Sequence, residues 1–392
     1  MIVAHSSIRR FTRGAVPLAP LLLLIVSGFS CDESTGPGSN EPARVLWRDA
    51  SQANTRPLIA DSLVIFGTWD GEAIAYERTS GRVAWSTPLG RTIWGRAIDE
   101  ASGLALVPEL ALHALDPRSG DMRWTYAGPD GAAAQTEPAV ESEEVFLGTP
   151  LGWAVALDAG TGQEIWRIDL GERPFRPTVA GDLVIYGTRG YMGGEREGPL
   201  GAGHVVALRR VDGVEVWRFP LPDSAGFPLS GGAVNGGVVW EDRVIVGSAA
   251  SRLYALRLSD GARLWEHQGG SPPLAGYRTR PALLGGTAIV LRNDGVMEGV
   301  DTRSGDLRWR IKTGGANDPV VAGKVVMLSA GRLWMIREDG TVLWQWGGPL
   351  DNAPAFLNSP TIAPDGTVYV TATDPHDGSV VYAYAVVPPV RP

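Results

Sequence analysis

The residues of this 392-residue chain best suited to chemistry are five histidines, one cysteine and two acidic clusters. His113, His204, His267 and His376 fall far apart, and His5 sits near the N-terminus. No two of them stand at the short spacing that puts two imidazoles on one zinc ion. His267, just past Trp265-Glu266, reads as a loop residue. Glu141, Glu143 and Glu144 crowd three carboxylates together, but acidic turns of this kind are ordinarily solvated. Asp374-Pro375-His376-Asp377-Gly378 gathers oxygen ligands without the spacing of a calcium loop, and reads as a hairpin turn. No Gly-x-Ser-x-Gly elbow, phosphate loop or dinucleotide fingerprint occurs. The expectation is a protein without catalytic, cofactor-binding or metal residues.

Composition narrows the classes further. One cysteine excludes an internal disulfide, a four-cysteine zinc site and a Cys-x-x-Cys redox pair. A formal net charge of −8 argues against a nucleic-acid partner, which would call for basic stripes. With 44% hydrophobic residues, the chain buries a core rather than remaining disordered.

The N-terminus reads as an address. Arg9, Arg10 and Arg13 precede an apolar stretch centred on Leu21-Leu22-Leu23-Leu24-Ile25-Val26. That stretch is shorter than the roughly 20 residues of a membrane-spanning helix, so residues 1–30 read as a signal peptide. The lone cysteine, Cys31, stands where a bacterial lipoprotein would be cleaved and lipidated; Ser30 fits that box, whereas Gly28 and Phe29 depart from it. Ordinary cleavage leaving a free thiol is the alternative. Residues 31–42 then form a flexible tether. Membrane attachment is expected only through this N-terminal lipid.

What positions everything else is a repeat of roughly forty residues. Seven times a turn glycine precedes a tryptophan by four residues, from Gly81 and Trp85 through Trp124, Trp166, Trp217, Trp265 and Trp309 to Gly340 and Trp344. Ten residues before each of the first six stands a small residue: Ala75, Ala114, Ala156, Ala207, Ala255 and Gly299. The seventh unit is one residue shorter and carries Met335. Short apolar runs such as Leu63–Phe66, Val145–Leu147, Leu183–Tyr186 and Val244–Val246 supply further strands, often after a strand opened by proline. Four strands per unit is the pattern of a propeller blade. Trp47 is an eighth tryptophan of the series with no hairpin before it, and the C-terminal strands have no closing tryptophan strand after them. Joining the two ends gives an all-β fold, an eight-bladed propeller of four-stranded antiparallel blades over residues 43–392, closed by the N-terminal strand.

Gly152-Trp153-Ala154-Val155-Ala156-Leu157-Asp158-Ala159-Gly160-Thr161-Gly162-Gln163-Glu164-Ile165-Trp166 closely resembles the pyrroloquinoline-quinone-like propeller repeat, and residues 253–265 are a second clear copy. In that family the tryptophan packs between blades over the small residue. The resemblance therefore implies a structural, blade-closing role for Trp47, Trp85, Trp124, Trp166, Trp217, Trp265, Trp309 and Trp344. One branch of the family, the quinoprotein dehydrogenases, holds the quinone and calcium in the central funnel and brings an adjacent cysteine pair that this chain lacks. The other branch, a lipoprotein of the outer-membrane barrel-assembly machinery, is similar in length, blade number and lipobox. The resemblance thus implies a non-enzymatic envelope scaffold without cofactor, facing the periplasm from either membrane. Its partner would be an envelope protein, the barrel-assembly machinery among the candidates. A quinone-dependent dehydrogenase and a small-ligand or glycan binder are the alternatives.

Departures from the repeat mark where binding is expected. Spacings between successive tryptophans run 38, 39, 42, 51, 48, 44 and 35, and the two longest units hold insertions at 189–203 and 222–237. Long loops on a rigid scaffold commonly carry recognition. Tyr191 and Met192 in the first, and Phe227 and Leu229 in the second, are the candidate apolar anchors.

Overall fold

A computed structural model describes residues 42–389 other than 92, 94–98, 130, 132–136, 191–202, 222–232, 271–275, 278, 316, 349–353 and 374–380. Cys31, the signal peptide, nearly all of the tether, Tyr191, Met192, Phe227, Leu229 and the 374–378 turn lie outside the described residues. Every regular element among those described is a strand, and the strands form eight antiparallel sheets. Blade 1 is Leu58–Ala60, Leu63–Gly67, Glu72–Glu77 and Val83–Pro88, from innermost to outermost. Blades 2 to 7 repeat that order. Blade 8 takes its inner strands from Thr361–Ile362, Val368–Thr373 and Val381–Val387, and its outermost from Arg44–Asp49. Register between the two termini runs from Arg44 opposite Val387 to Asp49 opposite Ala383, so the N-terminal strand closes the ring.

The middle strands of each blade are apolar without alternation because both faces of the sheet are covered. Successive side chains point to opposite faces. Val64 and Phe66 enter the cluster shared with blade 8, whereas Ile65 between them enters the cluster shared with blade 2. Eight such clusters of buried residues occur, one at each junction between neighbouring blades. The core is therefore a ring of sheet-on-sheet layers.

The tryptophans tie each junction together. Each of the first seven donates its indole N–H to a backbone carbonyl in the next blade's hairpin, as in Trp47 to Arg78 O at 2.8 Å, Trp217 to Leu258 O at 2.7 Å and Trp265 to Thr302 O at 3.0 Å. Its ring lies on that hairpin's glycine: a Cβ on Gly261 would come within 2.6 Å of the Trp217 ring. The hairpin glycine also has positive φ, +71° at Gly261, where other residues are strained. The small residue ten positions earlier is the direct cross-strand partner of the tryptophan, as Ala255 is of Trp265. In blade 8 the outermost strand comes from the N-terminal side of the chain and does not follow the blade's third strand in sequence. Ala43 stands four residues before Trp47, in the glycine's register, and is buried in one cluster with Trp344.

Candidate binding face and channel neck

Antiparallel alternation sorts the connections. Turns between the first and second and between the third and fourth strands of a blade share one face, the turn face. Connections from second to third strand and from blade to blade share the other, the loop face. Both strand pairs joined by 190–202 and 222–232 end on the loop face.

The base of the first insertion is built from a polar cluster that sequence reading did not find. Glu172 is 5% exposed; it accepts from Thr188 and meets His204 Nδ1 at 2.7 Å, with Arg218 at 3.9 Å. Beside it, the guanidiniums of Arg173 and Arg189 both lie over the Phe175 ring, 5.9 and 5.6 Å from its centroid. A short extra strand, Arg173–Pro174, pairs with Thr188 and Arg189. These contacts hold both ends of the insertion on a rigid footing.

On the same face charged residues gather at the start of the inner strands, here called the neck. Six inner strands follow an X-Pro step: Arg56-Pro57, Glu137-Pro138, Arg176-Pro177, Arg280-Pro281, Asp318-Pro319 and Ser359-Pro360. Proline opens a strand without needing a ladder donor, and the residue before it is set at the channel neck. Blade 2 lacks the proline, and Asp99 enters from its inner strand instead. Arg56 pairs with Asp99 at 2.9 Å, and Arg176 pairs with Glu137 and approaches Asp99 at 3.8 Å. Asp318 accepts the backbone N–H of Arg280 at 2.8 Å. Burial, reinforced by the nearby Arg176 charge, pushes the Arg280 guanidinium down to about 10. Burial together with the Glu137 charge raises the Asp318 carboxyl above the usual carboxylate range.

Two expectations are corrected. His267 is not in a loop: it lies in the outer strand Arg263–Gln268 opposite Leu253, because the strand runs three residues beyond Trp265. Its Nε2 stands 3.5 Å from Glu298, a fully buried carboxylate that also accepts from Tyr277 Oη at 2.5 Å and Arg292 at 2.9 Å. The acidic turn at 141–144 is not simply solvated either. Glu144 pairs with Arg210 of the next blade at 2.5 Å, and Arg210 also reaches the Glu141 carbonyl. Similar latches join Arg78 to Asp365, Arg118 to Asp61 and Arg303 to Glu241 across other junctions on the turn face.

A family model described as outer membrane protein assembly factor BamB matches residues 39–134, 108–345 and 271–386. The chain belongs to that family. Outer membrane protein assembly factor BamB of Yersinia pestis is 26% identical over 313 residues, covering 64% of this chain and 76% of the relative. The crystal structure of BamB from Moraxella catarrhalis superposes with a TM-score of 0.66 at 17% identity, covering 88% of this chain and all of the other. A europium-containing methanol dehydrogenase gives the same TM-score of 0.66 at 14% identity, covering 88% and 93%. Backbone likeness thus shows the propeller and does not choose between its uses. Two of the three carboxylates at the neck of this BamB-family chain, Asp99 and Glu137, are engaged by Arg56 and Arg176, an arrangement that favours internal ion pairs over a bound cation.

Proposed function

We propose that this chain is a non-enzymatic lipoprotein of the cell envelope that scaffolds the assembly of outer-membrane proteins, docking on the barrel-assembly machinery through its loop face. The observation that carries this reading is the family match, which runs through nearly the whole propeller, from residue 39 to 386. The geometry is consistent with it. Residues of the repeat are engaged between blades, and the strands that flank the two large departures from the repeat end on one face. Tyr191, Met192, Phe227 and Leu229 are the proposed contact residues, and Cys31 the proposed lipid attachment. The strand that opens at Arg44 begins on the turn face, opposite the loop face.

The test is capture of partners from envelope extract by tagged protein, beside a variant with alanine at all four loop positions. Barrel-assembly components retained by the parent and lost by the variant are the expected result. Retention by both would move the contact off the loop face, and no retention by either would sink the scaffold reading. Cys31→Ser should shift the protein to the soluble fraction; unchanged membrane association would refute the anchor. The dehydrogenase reading would return if pyrroloquinoline quinone with calcium gave alcohol-dependent dye reduction.

A further inference from the structure

The seventh unit of the repeat is one residue short, and its blade departs from the others on the turn face. In blades 1, 3, 4, 5 and 6 the first hairpin residue after the third strand ties back to the turn between the first two strands of its own blade. Arg78 donates to Ser62 O, Ala159 to Glu143 O, Arg210 to Asp182 O, Leu258 to Asp242 O and Thr302 to Gly286 O, all within 3.0 Å. Blade 2 has Pro117 at that position, without an N–H. In blade 7 the equivalent residue is Glu338, and its N–H makes no such bond to Lys324 O. The hairpin is also tighter: Gly340 donates to Arg337 O, three residues back, where Gly305 donates to Asp301 O, four back. The Glu338 carboxylate reaches to blade 6 instead, accepting from Gly286 N–H and Thr287 Oγ1, both at 3.1 Å, and from Arg308 at 3.3 Å.

A groove of about 1160 Å³ lies where that bond is missing, between the hairpin at 337–339 and the turn at Gly323-Lys324. Leu284, Trp309, Val325 and Leu343 give it apolar walls, and Arg308, Arg337 and Lys324 bring positive charge to it. Arg308 is taken by Asp301 at 2.6 Å and by Glu338, and Arg337 faces Asp339 at 4.0 Å. Lys324 is exposed and enters no ion pair among the described residues. In four other blades the same turn or the residue beside it carries an acid latched to the next blade: Asp61, Glu144, Glu241 and Asp365. Blade 7 carries an unlatched base there.

We infer that this groove binds a long-chain carboxylate, its head group on Lys324 and its alkyl chain along Leu284, Trp309, Val325 and Leu343. Apolar walls beside one uncompensated cation fit an amphipathic monoanion: the chain leaves water and the charge gains a partner. The site lies on the turn face, separate from the loop-face contacts, and does not depend on them.

Calorimetric titration of the full chain with decanoate, kept below micelle formation, should show saturable one-to-one binding. Octanoate should bind more weakly and dodecanoate more tightly, by up to about fourfold per methylene. Decyltrimethylammonium has the same chain and the opposite charge, and should bind at least about tenfold more weakly than decanoate. Lys324 stands on an exposed turn, so its replacement leaves the core untouched. Lys324→Gln should weaken decanoate about tenfold, Lys324→Arg should keep it, and Lys324→Glu should make decyltrimethylammonium the tighter ligand. No heat up to about 10 mM decanoate, no dependence on chain length, or an order of the two decyl ligands unchanged in Lys324→Glu would each overturn the assignment.

Discussion

The requirement for a glycine at each hairpin has two physical sources, and a double-mutant cycle at Gly305 and Trp265 separates them. Gly305 has φ +79°, and a Cβ there would approach the Trp265 ring to 2.8 Å. Trp265 itself is 8% exposed and donates to Thr302 O, on a residue 1% exposed. Removing the indole withdraws roughly 200 Å² of buried surface, worth about 5 kcal/mol at ~25 cal/mol per Å². Because the remaining alanine and partial collapse recover some of this, Trp265→Ala should cost about 3–5 kcal/mol. Gly305→Ala alone carries about 1–2 kcal/mol for the left-handed backbone and about 1–3 kcal/mol more for overlap with the ring. Once Trp265 is alanine the overlap disappears and only the backbone cost remains. The coupling energy should therefore be about 1–3 kcal/mol, measured from guanidinium unfolding followed by far-ultraviolet circular dichroism. Costs that add to within about 0.5 kcal/mol would show that the glycine answers only to its backbone angle.

Other consequences can be checked in the same way. Trp47→Ala should destabilise by about 3–5 kcal/mol, since Trp47 joins the closing strand to blade 1; a loss below about 1 kcal/mol would show that the ring does not depend on this closure. Burial pushes the Glu298 carboxyl up, but contacts from His267, Tyr277 and Arg292 prevail and hold it at about 2, below its ordinary 4.5. Its contribution is therefore complete above pH 4.5 and lost as pH falls toward 2. The stability gap between parent and Glu298→Gln should shrink over that window, and a constant gap would refute the assignment. Asp318 has the opposite sign. Its raised carboxyl makes ionisation unfavourable to the fold, so Asp318→Asn should be the more stable protein at pH 8, with the margin narrowing on acidification. A variant less stable than the parent at pH 8 would contradict this. Tyr277→Phe, which removes a donor from the buried Glu298, should cost about 1–3 kcal/mol by the same denaturation assay.

Much of the architecture was legible because it repeats. A tryptophan four residues after a turn glycine, with a small residue ten before it, recurs in register around the ring and counts the blades. The orphan Trp47 and the unclosed C-terminal strands complete each other only if the ends meet. Leu104–Pro108, the second strand of blade 2, is a weaker signal than the other apolar runs, and His267 reads as a loop residue in the sequence because the outer strand outlasts its tryptophan. For the neck, a signal was present. Five of the six X-Pro steps that open inner strands carry a charged residue at X, which local composition alone makes look like surface loop.

The sequence by itself determined the strand period, the blade number and the closure of the ring, because those follow from local patterning repeated many times. It also determined the placement of the glycines and small residues that let an indole lie flat. Only the tertiary structure decided which charges meet. Arg56, Asp99, Glu137 and Arg176 come from four different blades and are separated by some forty residues at each step, so their pairing exists only once the ring has closed. The same holds for Glu298, buried where several other blades place apolar residues. A carboxylate there reads as surface in the sequence; Arg292 of its own hairpin is joined by His267 from the neighbouring blade and Tyr277 from the segment between them, which only the closed fold brings in.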